Sequence, residues 1–301
     1  MKVLITGSEG QLGSTLNFLK PRNIQIINTN RENFDLTNGP QISKFIFKHK
    51  PDWIINSGAY TAVDKAEREP EKVFATNSHA VKIIAETLKK TRGKILQIST
   101  DFVFDGKNNK PYTPYEKTNP LGIYGLSKLK GENYIKQIFN DPNKAVILRT
   151  SWLMGNIGNN FALKMLKLHK EKKNLNIVVD QIGSPTNVMS LAKTCWEIIL
   201  FRGNWGNYAS SKIPIMHCCD SGIASWYDVA VAVGEIGIDL GLIDNMAEVN
   251  PIKSIYYPTP AKRPTFSVLD NDLTQKFLNL KSIHWRKSMV NFLKLVDKNK
   301  I

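Results

Sequence analysis

The run Lys2-Val3-Leu4-Ile5-Thr6 stops at a glycine, and Gly7, Gly10 and Gly13 then recur at three-residue intervals. A short β-branched and apolar run bounded by glycine suits a buried parallel strand. Glycines so placed let the backbone turn tightly, approach a pyrophosphate and pack the following helix on the sheet. The N-terminus of that helix then presents free amides and a positive dipole end to the phosphates. Strand, glycine turn and helix in this order predict a dinucleotide-binding unit at the very start of the chain. The spacing is GxxGxxG.

The next 140 residues repeat the alternation. A second strand, residues 24–28, ends where such a unit meets the adenosine ribose; an acidic residue there holds a 2′-hydroxyl, and a cation accepts a 2′-phosphate. Here stand Asn28, Thr29, Asn30 and Arg31, with no carboxylate at the strand tip. NADP is therefore expected over NAD, with Asn28, Arg31, Asp35 and Leu36 at this end of the cofactor. Asp35 or Thr37 is expected to cap the next helix. A further strand and a turn of small residues, on which a flat cofactor can lie, follow within 51–61, and strands at Ile95–Ser99 leading to Thr100 and at Ala145–Arg149, which is read as the sixth, with a long helix over 70–90. Parallel neighbours need crossovers, so the alternation predicts an α/β fold with a doubly wound parallel sheet of the Rossmann type. Residues 1–150 are assigned to it. Residues 151–301, richer in Gly and Pro loops, are read mainly as a smaller α/β substrate-binding lobe, with some segments returning to the first domain.

Tyr124 and Lys128 lie four apart on a predicted helix and so share one face, roughly 5–6 Å apart at Cβ. A free phenol, with a pKa of about 10, exchanges protons poorly at neutral pH, and a nearby cation pulls that value down. This is the tuning a general acid or base requires. Thr100 can offer a hydroxyl to the same substrate oxygen. The Tyr-Lys spacing alone is common on helices and takes its meaning from the glycine turn.

The other features bound the function. The 301 residues, 42% of them hydrophobic, suffice for one large or two modest domains. No uncharged apolar stretch nears the roughly 20 residues of a membrane helix. The first strand begins at residue 2, leaving no room for a leader, so a cytoplasmic protein without membrane contact is expected. The net charge of +15 is spread as lysines along helix faces with few aromatics between them, which reads as solvated surface and not a nucleic-acid interface. Cys195, Cys218 and Cys219 make no disulfide framework, and the pair beside His217 lacks zinc-ligand spacing; they are read as half-buried strand residues. Ser225 is expected to cap a helix beginning at Trp226. Trp152, Lys262 and Arg263 fit either a nucleotide diphosphate or ordinary core and surface roles.

Together, Thr6-Gly7-x-x-Gly10-x-x-Gly13, Ser99-Thr100-Asp101 and Tyr124-xxx-Lys128 resemble the extended short-chain dehydrogenase/reductase superfamily. The finer resemblance is to its dTDP-4-dehydrorhamnose reductase family, carried by Gly10–Gly13, Thr61–Glu67, Ser99–Gly106, Arg149–Trp152, Asp180–Thr186 and Tyr257–Pro264. It implies that Gly7, Gly10, Gln11, Leu12 and Gly13 cradle the cofactor pyrophosphate and that Ala59, Tyr60 and Thr61 line its path to the nicotinamide. It further implies that Thr100, Asp101 and Trp152 meet a dTDP-sugar. Tyr124 would protonate the C4 oxygen as NADPH, or alternatively NADH, delivers hydride, with Lys128 on the nicotinamide ribose. Dehydratases of the superfamily follow the Thr with Asp-Glu; here Phe102 follows Asp101, which argues against dehydration. Some relatives hold magnesium at a dimer contact, but no equivalent glutamates are found, so a homodimer is expected without a metal. The alternatives are reduction of another nucleotide-linked 4-keto sugar, or a non-catalytic NADP-binding regulatory subunit resembling that of methionine adenosyltransferase.

Overall fold

The computed structural model describes residues 1–208 and 213–298. Its first half comprises β1 (Lys2–Thr6), α1 (Gln11–Phe18), β2 (Gln25–Asn28), α2 (Gly39–His49), β3 (Trp53–Asn56), α3 (Val63–Ala66), α4 (Pro70–Phe74), α5 (Ala80–Thr91), β4 (Lys94–Thr100), α6 (Ile123–Ile138) and β5 (Ala145–Thr150). The second adds β6 (Leu153–Met154), α7 (Phe161–Glu171), β7 (Asn174–Val178), β8 (Ile182–Gly183), β9 (Thr186–Asn187), α8 (Val188–Leu200), β10 (Ile215–Cys218), β11 (Ala224–Ser225), α9 (Trp226–Asp239), β12 (Glu248–Ile252), α10 (Asp272–Leu278) and α11 (Trp285–Leu293).

Six strands form one sheet in the order β10-β5-β4-β3-β1-β2, every neighbouring pair parallel. Ala145–Thr150 is thus the fifth strand and not the sixth; the sixth, β10, comes from beyond residue 150 and pairs with β5. Both faces of the sheet are covered, which is why its strands read as nearly continuous apolar runs. Successive side chains point to opposite faces. Val3, Ile5, Ile55, Leu96 and Leu148 pack under α1 and α8 with Leu16, Leu191 and Trp196. Leu4, Ile54, Ile95 and Ile147 pack under α2, α5 and α6 with Ile42, Ile84 and Ile135. A third core joins α7, α9 and α11 through Leu166, Val233 and Phe292.

Local chemistry explains the element boundaries. Helix α2 is capped by Asn38, whose side chain accepts from Gln41 N at 3.1 Å, and not by Asp35 or Thr37. Asp35 Oδ1 instead closes its own turn, accepting from Thr37 N and Oγ1, both at 2.8 Å. Ser225 caps α9 in a reciprocal capping box with Asp228. The helical stretch from residue 70 is interrupted by a π-helical turn, Ala75–His79, which rotates Asn77 inward. Asn77 accepts from Tyr60 N at 2.8 Å and donates to Tyr60 O and to Ser127 Oγ. Strand β12 contains Pro251 and, among the described residues, pairs with β7 alone; on an edge strand a missing amide is tolerated.

The pair Cys218 and Cys219 is buried, not half-buried, and Cys219 lies just past the end of β10; Cys195, in α8, and His217 are buried as well. His217 Nδ1 lies 3.1 Å from Asp270 O. Burial holds its pKa well below the usual imidazole value and keeps all three sulfurs as thiols.

Candidate active site

In a doubly wound sheet, ligands bind beyond the strands' carboxyl ends, where neighbouring strands send their connections to opposite faces. Here that point lies between β1 and β3. Gly7 has φ +62°, a conformation that L side chains rarely adopt, and a Cβ there would stand 2.9 Å from Gly58 Cα. A Cβ on Gly13 would lie 2.3 Å from Gly7 O, so α1 is seated directly on the turn. Gly10 N donates to Gly7 O at 3.0 Å. At Gly10 a Cβ would stand 3.3 Å from that oxygen, a tight contact with backbone.

Two crevices meet along this turn and share Gly7, Gly10, Gly58 and Ala59. The first, about 430 Å³, is lined also by Asn30, Arg31, Asp35, Leu36 and Tyr60. Arg31 is thus where a cation for a 2′-phosphate would be needed. Asn28 is exposed at the end of β2 and lines neither crevice. The chain turns after Thr29, whose amide and hydroxyl both bond Ile5 O, so the residues reaching the crevice are Asn30 and Arg31. Two carboxylates also line it, Asp35 and Glu9. Asp35 is engaged in its own turn, and Glu9 Oε1 accepts from Asn30 Nδ2 at 3.2 Å. Tyr60 lies in this first crevice and not in the second, its hydroxyl donating to Glu69 Oε2 at 2.9 Å.

The second crevice, about 580 Å³, brings together Gln11, Leu12, Gly13, Thr61, Thr100, Asp101, Tyr124, Lys128 and Trp152. Close packing of α6 is what collects them: a Cβ on Gly125 would lie 2.2 Å from Phe102 O, and one on Gly131 would lie 2.5 Å from Asn77 O. Lys128 Nζ donates to Ile98 O at 2.6 Å. Thr100 Oγ1 donates to Asp101 Oδ1 at 3.1 Å and accepts from Phe102 N. The Phe102 ring meets Tyr124 edge-on, with centroids 5.6 Å apart.

The electrostatics correct one expectation. Burial pushes the Tyr124 phenol up to about 12; the Thr100 hydroxyl pulls it down and the Asp101 charge raises it further. Burial likewise lowers Lys128 to about 8, against the attraction of Glu132. The lysine does not draw the phenol down, because both groups are desolvated and its head is committed to a backbone carbonyl. At neutral pH Tyr124 is therefore a phenol, the form that donates a proton. Asp101 is raised to about 6 by burial, opposed by hydroxyls of Ser267 and Thr100. Asp101 Oδ2 and Thr150 Oγ1, both on residues lining this crevice, are buried without a hydrogen-bond partner. Buried polar atoms are rarely left so, and a hydroxyl-rich ligand would satisfy both.

Trp152 takes a left-handed backbone (φ 45°) and its indole lies flat on Trp226, with centroids 3.5 Å apart and planes within 3°. Gly183 leaves room for it, since a Cβ there would stand 2.5 Å from the indole. Arg263 lines the same crevice, its Nη1 and Nη2 paired with Asp64 Oδ1 and Oδ2 at 3.1 and 2.8 Å. Lys262 is exposed and lines neither crevice. Trp226 and Thr150 line this crevice without a signal in the sequence that assigns them to it. Trp226 carries only a helix-start signal, and no local pattern links it to Trp152, 74 positions earlier.

This sheet and the paired crevices define a Rossmann-fold oxidoreductase of the short-chain dehydrogenase/reductase type. The family model described as RmlD substrate binding domain matches residues 1–298, and the chain belongs to that family. A dTDP-4-dehydrorhamnose reductase from Aggregatibacter actinomycetemcomitans is 35% identical over 294 residues, covering 96% of this chain and 97% of that protein. The crystal structure of a dTDP-4-dehydrorhamnose reductase from Clostridium acetobutylicum superposes with a TM-score of 0.87 at 36% identity, covering 98% of this chain and 99% of that one. A dTDP-4-dehydrorhamnose reductase from Bacillus anthracis, solved in complex with NADP, gives 0.86 at 30% identity, covering 97% and 98%.

Proposed function

We infer that this protein uses NADPH to reduce the C4 keto group of dTDP-4-dehydro-L-rhamnose, giving dTDP-L-rhamnose. The observation that carries this reading is the convergence of Thr100, Tyr124 and Lys128 in one crevice continuous with the glycine turn. Gly7, Gly10, Gln11, Leu12 and Gly13 hold the pyrophosphate of the cofactor, with the N-terminus of α1 facing its charge. The place of Gly10 on the lining of both crevices fits this use. Arg31 takes the 2′-phosphate, supported by the NADP complex of the Bacillus anthracis relative. Residues 1–150 supply most of the cofactor site and residues 151–301, through Trp152 and Trp226, much of the sugar site.

The reduced nicotinamide supplies the hydride for C4. Tyr124, protonated at neutral pH, donates its proton to the C4 oxygen, and Thr100 donates a hydrogen bond to the same atom. Lys128 orients a nicotinamide ribose hydroxyl, and the Thr100 hydroxyl, which favours the charged form of Tyr124, stabilises the phenolate left behind. The unpartnered oxygens of Asp101 and Thr150 receive sugar hydroxyls, and Trp152 packs on the ring. The protein's contribution is positioning and proton supply. A cytoplasmic homodimer belongs to the same proposal; among the described residues no helix is long and apolar enough to cross a membrane.

NADPH oxidation on enzymatically generated dTDP-4-dehydro-L-rhamnose tests the reading. Tyr124→Phe is expected to lower kcat by about 10²- to 10⁴-fold while NADPH still binds. Tight NADPH binding without turnover on any dTDP- or other nucleotide-linked 4-keto sugar would establish the regulatory alternative instead. A kcat/KM higher with NADH than with NADPH would remove Arg31 from its assigned role.

A further inference from the structure

Beneath the catalytic crevice lies a charged cluster that the chemistry above does not use. Glu132 and Arg149 are 0% and 1% exposed. Arg149 Nε and Nη2 meet Glu132 Oε1 and Oε2 at 2.9 and 2.7 Å, and Ser99 Oγ donates to Oε1 at 2.6 Å. Ser99 and Arg149 are themselves register partners on β4 and β5. Three consecutive residues of β4 thus address three residues of α6 spaced one turn apart: Thr100 meets Tyr124, the Ile98 carbonyl takes Lys128, and Ser99 takes Glu132.

We propose that Glu132 is a positioning residue for this reaction: bound to β4 through Ser99 and to β5 through Arg149, its carboxylate fixes where α6 presents Tyr124 and Lys128 to Thr100, and it places a permanent negative charge one helical turn from the Lys128 ammonium. Stability alone does not account for the arrangement. A buried ion pair is a weak stabiliser beside apolar residues of the same volume, and fixing the register between the elements it joins is the best-attested use of such a pair. The small residues of α6 seat it on other segments, Gly125 on Phe102 and Gly131 on Asn77, whereas its polar links to β4 run through Lys128 and Glu132.

The charged surroundings are consistent with the second half of the proposal. On α6 itself, Glu132 is followed by Lys136; from β5 comes Arg149, with His217 of β10 behind it. Asp101 acts on Tyr124 from the end of β4, and Glu67 accepts from Ile123 N at the start of α6. The π-helical turn contributes Asn77, which is uncharged. Glu132 is the charge that raises the proton affinity of Lys128.

The inference rests on the reductase reading but is tested partly without it. Lysine labelled with ¹³C at Cε reports the Lys128 titration directly by NMR, its signal assigned by its loss in Lys128→Met. Glu132→Gln is expected to move that midpoint downward by about half a unit or more. Glu132→Asp, which keeps the charge, should restore it. In steady state, Glu132→Gln is expected to lose about tenfold in kcat at pH 8.5 and less at pH 6.5, with KM for NADPH nearly unchanged. Ser99→Ala leaves the ion pair intact and folds whatever Glu132→Gln does; it is expected to lower kcat several-fold at every pH without moving the midpoint. An unmoved Lys128 titration in Glu132→Gln, or a Ser99→Ala variant with wild-type kcat, would overturn the proposal. If the wild type shows the titration but no turnover, the substrate assignment fails while the midpoint shift still decides the role of Glu132.

Discussion

Tyr124 and Lys128 show how burial reverses a simple electrostatic expectation at the scale of single residues. Four positions apart on a helix, they suggest a cation lowering a phenol. In the folded protein desolvation dominates both groups, raising the phenol to about 12 and lowering the amine to about 8. The consequence is a pH profile. Lys128 loses its proton as pH rises through about 8, so kcat/KM for reduction is expected to decline above that value while Tyr124 remains a competent acid; a stopped-time assay from pH 6 to 9.5 checks this. Asp101 makes an opposite statement about stability. Its folded pKa of about 6 lies above the ordinary 3.8, so the favourable protonated state is fully present below about pH 4 and lost as pH rises through 6. At neutral pH the buried carboxylate therefore leaves the fold less stable than below pH 4 by on the order of 3 kcal/mol. Asp101→Asn is expected to melt several degrees higher than wild type at pH 7.5, the advantage disappearing near pH 4, while reducing the sugar more slowly.

Among the elements, α1 and α6 show two ways of bringing a helix against a strand terminus. Both use glycine where a Cβ would strike backbone: Gly13 against Gly7 O and Ser8, Gly125 against Phe102 O. Backbone cannot yield as a flexible side chain does, so added volume is translated into displacement of the whole helix. Gly13→Ala is expected to lower NADPH affinity at least about tenfold and stability by about 1–3 kcal/mol, read by fluorescence titration and thermal melting. The glycine pattern of α1 is legible in sequence because strand, turn and helix are contiguous. That of α6 is not, because Gly125 and Gly131 meet Phe102 and Asn77, partners in other segments whose approach no local spacing announces.

For the molecule as a whole, the +15 charge bears on encounter and not on fold. NADPH and a dTDP-sugar are both anions, and long-range attraction to a basic surface is screened over about 8–10 Å at ordinary salt. The value of kcat/KM is therefore expected to fall about three- to tenfold between 20 and 300 mM salt with kcat little changed, as initial rates at fixed pH will show. Whole-molecule topology also supplies the sixth strand of the sheet. Ala145–Thr150 was recognisable as a buried strand, but the last position in its sheet is filled by Ile215–Cys218, after a crossover of more than 60 residues. Periodicity cannot reveal so distant a partner.

The local order of residues determined the parallel sheet, the glycine turn and the shared face of Tyr124 and Lys128, because each depends on side-chain period and on contacts within a few positions. The tertiary structure alone decided that Asn28 stays outside the crevices, that Tyr60 lies in the first, that Trp226 lies under Trp152 and that Glu132 sits between Ser99 and Arg149. Those outcomes depend on desolvation and on segments tens of residues apart meeting at one place, and neither is a property of any stretch of chain taken by itself.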